Sequence, residues 1–276
     1  MKRLIKQMTS KFAPVVIRAQ RRLQSHSVGI GPDAPEALAS SEAPITMFSG
    51  DFESFEAAAA HAVGYDHAAP ARAAAERLIS LLEGRSPPEV DGRYMQVHSA
   101  LCVARECLGP GSLSVLDIGG ANGHYFFVLT SRLGMRDLRW HVVETNHMVS
   151  ACQPLGAPQI TFSTDIPDEA FDIVLLSGAL QYLANPSEVL HRVRRIARWV
   201  IVTRLPVSRF GRSRFMVQTV PAEIHEGSMP IRIFDADEFE SAASSVGRIA
   251  LTWRVPADDG AFVGMGVENV GMLIKC

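Results

Sequence analysis

Apolar residues along this 276-residue chain change rhythm near residue 112. Before that point they recur at helical spacing. Residues 54–63 predict a short helix stopped by Gly64. Residues 70–83 predict a second, with Leu78, Ile79 and Leu82 on one face and Gly84 as its stop. Residues 92–108 predict a third, striped by Val97, Leu101, Ala104 and Leu108 and ended by Gly109, Pro110 and Gly111. Beyond it, short apolar runs alternate with helical stretches. Strands are expected at 113–119, 138–145, 159–164, 171–178 and 199–206, and two more at 248–255 and 270–276. A helix follows the first strand over 122–133. Another opens at Asn185, Pro186, Ser187 and Glu188, where cap, first-turn proline and acid can satisfy the free amides. A last one opens with Asp235 and Glu238. The alternation predicts an α/β fold with a doubly wound, mostly parallel seven-stranded sheet. The two late strands, joined by a loop alone, predict an antiparallel C-terminal hairpin strand at one edge.

Composition changes this picture at one end. The chain is 47% hydrophobic and 20% charged, with a net charge of −2. That suits one large domain with appendages and no global field for nucleic acid. Residues 1–31 hold Lys2, Arg3, Lys6, Lys11, Arg18, Arg21 and Arg22 and no acid. Leu4, Ile5, Met8, Phe12, Val15 and Val16 fall near helical spacing among them, without the unbroken apolar core of a signal peptide. The segment reads as a cationic tail, or as a peripheral membrane contact through residues 1–24. Binding to anionic vesicles that survives deletion of 1–24 would rule out the second reading. Residues 25–48 are rich in Ser, Ala, Pro and Gly and read as a linker. The expected organisation is a tail and linker over 1–48, a helical N-terminal lid over 49–110, and a ligand-binding domain over 111–276. Cys102, Cys107, Cys152 and Cys276 show no metal-type spacing and suit free thiols in the cytoplasm. His61 and His67 around Tyr65 and Asp66, even with Glu226, form no recognised ligand pattern.

The candidate chemistry centres on "LDIGGANG", residues 116–123. Ligands of open parallel sheets bind beyond the carboxyl ends of the strands. Glycines there let the backbone turn sharply and approach a ligand. A dinucleotide site needs G-x-G-x-x-G, and counting from Gly119 the third and sixth positions are Ala121 and His124. The spacing present is D-x-G-x-x-x-G, made by Asp117, Gly119 and Gly123. It resembles motif I of the S-adenosylmethionine (SAM)-dependent methyltransferases with a Rossmann-like fold. An acid two residues before the first glycine suits a cationic ligand. Glu144 ends the second strand twenty-one residues beyond Gly123, where a carboxylate can accept both ribose hydroxyls. That acid supports a nucleoside ligand without choosing between NAD and SAM.

The resemblance implies cofactor contacts from Asp117, Gly119, Gly120, Ala121, Gly123 and Glu144. It places Asp165 near the adenine, although a solvated loop acid is an equal reading. Ser177, Gly178 and Gln181, in "LLSGALQYL", would pass the methionine portion. A wider resemblance spans 48–276. "SGDFESFEAAAAHAVGYD", "TRLPV" and "VQTVPAEIHEGSMPIRIFDADEF" are similar to segments of a family of bacterial methyltransferases with undefined substrates. Ala121 stands where many methyltransferases carry a glycine, and His225 stands where the family would show a tyrosine.

Methyl transfer from a sulfonium is an in-line displacement governed by alignment and exclusion of water. A base is needed only when the nucleophile starts protonated. His225, Glu223, Arg204, Tyr94 and His98 are the candidates, with His225 and Arg204 foremost. Arg204, straight after an apolar strand, would hold a substrate carboxylate or phosphate in its fork, or pair with an acid. The expected activity is methylation of a small-molecule or glycan-type acceptor at oxygen. A non-catalytic SAM-binding scaffold and a nucleotide-dependent oxidoreductase are the alternatives. The fold body lacks the basic-aromatic interleaving of a nucleic-acid binder. Oligomeric state leaves no mark in the sequence.

Overall fold

The computed structural model describes residues 47–85, 90–220 and 227–276. The basic segment 1–24, Glu223, His225 and Glu226 lie outside the described residues. Strands β2 (Leu113–Ile118), β3 (Leu138–Val143), β4 (Ile160–Ser163), β5 (Phe171–Ser177), β6 (Ala197–Ser208), β9 (Arg248–Arg254) and β10 (Val267–Lys275) are the seven expected from the pattern. They run in the order β4-β3-β2-β5-β6-β10-β9, with β10 antiparallel to both of its neighbours. The central strands are covered on both faces. That is why β5 and β6 carry continuous apolar runs at 173–176 and 199–202, whereas β3 alternates, with Arg139 exposed.

The sheet nonetheless has ten strands among the described residues, which corrects the seven-stranded expectation. β6 is twelve residues long and outruns β5. On its free end Val207 and Ser208 pair with Phe234 and Asp235 of β8 (Gly227–Asp235). β7 (Arg214–Val220) pairs antiparallel with β8, and β1 (Phe48–Phe52) with β7. These three strands escape a reading by apolar runs. β8 interleaves Ile231 and Ile233 with Arg232, and β1 carries Gly50 and Asp51 and is irregular between Ser49 and Phe52.

Of the helices ahead of β2, the first is shorter than its pattern, the second starts two residues early, and the third matches it. α1 (Phe55–Ala59) is capped by Ser54 Oγ, which accepts from the Ala57 amide at 3.1 Å. It stops before Val63 because Ser228 of β8 takes the amides of Val63 and Gly64. α2 (Ala68–Leu82) buries Ala71, Ala74 and Leu78. α3 (Gly92–Leu108) is capped by Asp91, which accepts from the Arg93 amide. Residues 49–110 are therefore not wholly helical, since β1 belongs to the sheet.

Four α-helices follow among the described residues. α4 (His124–Ser131) starts two residues later than expected, with Gly123 as its left-handed cap. α5 (Asn146–Cys152) was not expected; Met148 and Cys152, one turn apart, are its buried pair. α6 (Pro186–Ile196) starts at the predicted proline, but Asn185 makes no side-chain cap bond. α7 (Ala236–Val246) is capped by Asp235, which accepts from the amides of Asp237 and Glu238. No helix among the described residues is long and apolar enough to cross a membrane.

Candidate functional site

The loop between β2 and α4 gathers the predicted residues. Asp117 is the penultimate residue of β2, sandwiched between β3 and β5, and is fully buried. Trp140 of β3 donates from Nε1 to Asp117 Oδ2 at 3.0 Å. Asp117 Oδ1 is buried with no hydrogen-bond partner among the described residues. Burial raises the carboxyl pKa to about 7; the indole bond pulls it down and the Glu144 charge pushes it up.

Glycines are required here by contact. A Cβ on Gly120 would lie 2.5 Å from the Asp117 carboxylate. At Gly119 (φ 74°) it would lie 2.8 Å from the Ala179 Cβ. Gly123 closes the turn through its amide to the Gly120 carbonyl at 2.9 Å. Ala121, where a glycine was expected from the resemblance, takes φ 49°. A left-handed alanine costs about 1–2 kcal/mol, and its amide is compensated by Glu144 Oε1 at 3.1 Å. Glu144 Oε2 accepts from the Thr145 amide at 2.8 Å. Burial raises the Glu144 pKa, and these two amide bonds oppose the shift.

Two cavities meet at this loop, and Gly119 and Ala121 line both. One, about 300 Å³, joins Glu144 and Thr145 to Tyr65, Ile118, Gly178, Tyr182, Leu183 and Met229. It pairs a single carboxylate with mostly apolar walls. The other, about 310 Å³, is polar. It joins Asp117, Asn122, His124, Tyr125 and Ser177 to Ala74 and Arg77 of α2, Arg93 and Tyr94 of α3, and Arg204. A roomier cavity of about 430 Å³ lies at the far edge among α7, β9 and β10 and contains none of these residues. The loop cavities are the chemically furnished ones.

Side chains in the polar cavity are held in pairs. The Tyr94 hydroxyl lies 2.7 Å from His124 Nδ1, and the Tyr125 hydroxyl lies 2.9 Å from Ser177 Oγ. Burial first, then the charges of Arg77 and Arg93, depress the His124 pKa and favour its neutral imidazole. Burial lifts the Tyr94 hydroxyl to about 12. Arg204 adopts φ 58° where β6 bulges against β10, between Val202↔Met272 and Leu205↔Val270. A bulge re-aims the side chain that it carries. Arg204 donates from Nε to Asp258 Oδ2 at 2.7 Å, and Arg93 reaches Asp258 Oδ1 at 3.3 Å.

Most predicted residues therefore converge, and two stand apart. Asp165 is exposed after β4 and lines neither loop cavity. Gln181 is buried behind the site and donates from Nε2 to the Arg204 carbonyl at 3.2 Å, which props the bulge. The sequence reading missed His124 and Tyr125 as cavity residues, along with Arg77 and Arg93, and Asp258 as the partner of Arg93 and Arg204. Only adjacency to Gly123 could have flagged the first two. The others arrive through tertiary contacts.

A search of curated proteins returns no match for this sequence. Among solved structures, the N-terminal domain of EvdMO1 with S-adenosylhomocysteine (SAH) bound is 14% identical, with 68% of this chain and 82% of that chain covered and a TM-score of 0.49. The Burkholderia thailandensis 1,6-didemethyltoxoflavin-N1-methyltransferase, solved with 1,6-didemethyltoxoflavin and SAH, is 18% identical over 78% of this chain and 93% of that one, at a TM-score of 0.45. Coclaurine N-methyltransferase bound to N-methylheliamine and SAH is 10% identical over 69% and 74%, at 0.47. The sequence profile of the family described as methionine biosynthesis protein MetW matches residues 100–240, just over half of the chain. The chain belongs to the MetW family.

Proposed function

We propose that this protein is a SAM-dependent methyltransferase that methylates a small-molecule or glycan-type acceptor at oxygen. The observation that carries the reading is Asp117 Oδ1, a buried acceptor without a partner among the described residues, on the wall of a cavity. A lone carboxylate oxygen there attracts a cationic ligand and repels a pyrophosphate. Gly119 and Gly120 keep the backbone beside it free of side chains. The residues present therefore fit SAM. Asp117 would face its ammonium, and Glu144 would take the ribose hydroxyls on the lone pairs left by the Ala121 and Thr145 amides. The apolar walls around Tyr182, Leu183 and Met229 suit an adenine.

When bound, SAM supplies an electrophilic methyl group on a sulfonium leaving group. The chain's own residues then have four tasks. α2 and α3, as a cap, exclude water from the polar cavity through Ala74, Arg77, Arg93 and Tyr94. The glycine loop fixes the position of the donor. The Tyr94–His124 pair receives the proton of an acceptor hydroxyl: the phenol oxygen takes it and passes its own proton to Nδ1 of the neutral imidazole, 2.7 Å away. Nη1 of Arg204, the nitrogen not given to Asp258, is free to orient an anionic acceptor group. His225 is a further candidate for the proton, outside the described residues. The four free cysteines suit a cytoplasmic protein.

The test is a screen with methyl-labelled SAM over alcohols, phenols, sugars and hydroxy acids. Acceptor-dependent label in a methyl ether or ester supports the reading. SAH binding with no transfer to any acceptor would make the protein a scaffold, and label on nitrogen would overturn the assignment to oxygen.

A further inference from the structure

Between α1 and α2 the chain loses its buried anchors. Ala58 and Pro70 are both buried, yet no residue from 59 to 69 is. Val63 is 75% exposed, and Gly64 turns at φ 91° in open space. A stretch with so little burial keeps its place mainly by hydrogen bonds and belongs to the low end of local stability.

Those bonds form at two points. Ser228 of β8 makes one of them: its Oγ accepts from the Val63 amide at 3.1 Å, and its carbonyl accepts from the Gly64 amide at 2.9 Å. His147 of α5 makes the other. Its amide donates to Asp66 Oδ1 at 3.1 Å, and its Nδ1 lies 2.9 Å from the same oxygen. Each anchor adjoins the wall of the Glu144 cavity, since Met229 follows Ser228 and Thr145 lies two positions before His147. Tyr65, between the anchors, lines that cavity as well. The segment therefore crosses the cavity from β8 to α5, with Tyr65 inside and Val63 outside.

We infer that residues 59–69 form a strap across the Glu144 cavity, latched by Asp66 to His147, and that ligand enters and leaves when the strap lifts. The strap rests on the SAM reading only for the identity of what it admits. Lifting leaves α2 in place, because Ala71, Ala74 and Leu78 stay packed beyond Pro70. The latch is made by the chain alone, so it holds the empty site and the filled site alike. Its loss therefore speeds entry and exit together.

The test uses the full chain. Association and dissociation of SAH are followed by surface plasmon resonance for the wild type, Asp66→Ala and Asp66→Asn. Both rates should rise about fivefold in Asp66→Ala, as for the loss of exposed hydrogen bonds, with the affinity unchanged. Asp66→Asn keeps an oxygen for the His147 amide and should recover part of the change. Unchanged rates, or faster release without faster entry, overturn the inference. Hydrogen exchange of the ligand-free chain supplies a readout that needs no ligand. Peptides over 59–69 should exchange faster in Asp66→Ala while those of α2 do not. No rise there, or an equal rise in α2, also overturns the inference. A wild type that binds no SAH would remove the cofactor reading and leave the strap to be decided by the exchange result.

Discussion

At the scale of single residues, Asp117 carries an unusual load. A carboxyl group at the end of a buried strand is held by one indole bond, and its pKa sits near 7. A carboxyl pKa raised on folding means that the native state binds more protons than the unfolded chain between about pH 4 and pH 7. Stability from this group therefore falls as pH rises through that window and is lowest above it. Asp117→Asn keeps the acceptor for Trp140 and removes the buried charge. It should raise the melting temperature of the ligand-free protein at pH 8 and change it little at pH 4, while weakening SAH binding. A variant less stable at pH 8 would contradict this account of the residue. The same pKa sets a binding profile. An ammonium needs the ionised carboxylate, so SAH affinity should fall by up to about tenfold per pH unit below 7 and level off above it. Calorimetry from pH 5.5 to 8.5 checks this, and a flat profile would assign the ammonium elsewhere. Gly120→Ala presents a different case, because its Cβ would occupy the space of the Asp117 carboxylate. That variant should lose SAH binding even if it stays folded by circular dichroism.

At the scale of elements, the patterns that could be read were those buried on both faces. β5 and β6 announce themselves by unbroken apolar runs at 173–176 and 199–202, β2 and β3 by buried leucines, valines and a tryptophan, and α3 spans the residues that its stripe predicts. β1, β7 and β8 lie beyond the doubly covered core; β1 sets Ser49, Gly50 and Asp51 between two phenylalanines, and β7 and β8 place Arg214 and Arg232 beside apolar residues. Their pairing is decided by tertiary partners, so periodicity alone passes over them. The site divides in the same way. Asp117, the glycines and Glu144 sit at fixed intervals set by the strand–loop–helix unit, so spacing reveals them. Arg77 and Arg93 reach the cavity from helices remote in sequence, Asp258 holds Arg93 and Arg204 from a turn, and no local interval encodes their meeting. Arg204 was legible as a residue at the ligand edge, but its left-handed bulge and its bond to Asp258 were not. The joint between cap and loop is Asn122. Asn122→Ala should remove a second bond to the Ala74 carbonyl, which keeps its own partner in the helix, and cost about 0.5–1.5 kcal/mol in urea unfolding. It should weaken SAH binding as α2 loosens.

At the scale of the molecule, one loop divides two cavities of nearly equal size, one of them lined by more charged and polar side chains than the other. The apolar one with a single acid suits a nucleoside, and the polar one with unmatched charges suits a charged tail and the reacting groups. A dinucleotide would have to lay its pyrophosphate against Asp117, and the loop lacks the third glycine of that fingerprint. This makes cofactor choice the claim on which the other readings depend. The most direct measurement is calorimetric titration of the full chain at pH 8 with SAH and, separately, with NAD. The account predicts saturable one-site binding of SAH and none of NAD. Binding of NAD without binding of SAH would contradict it.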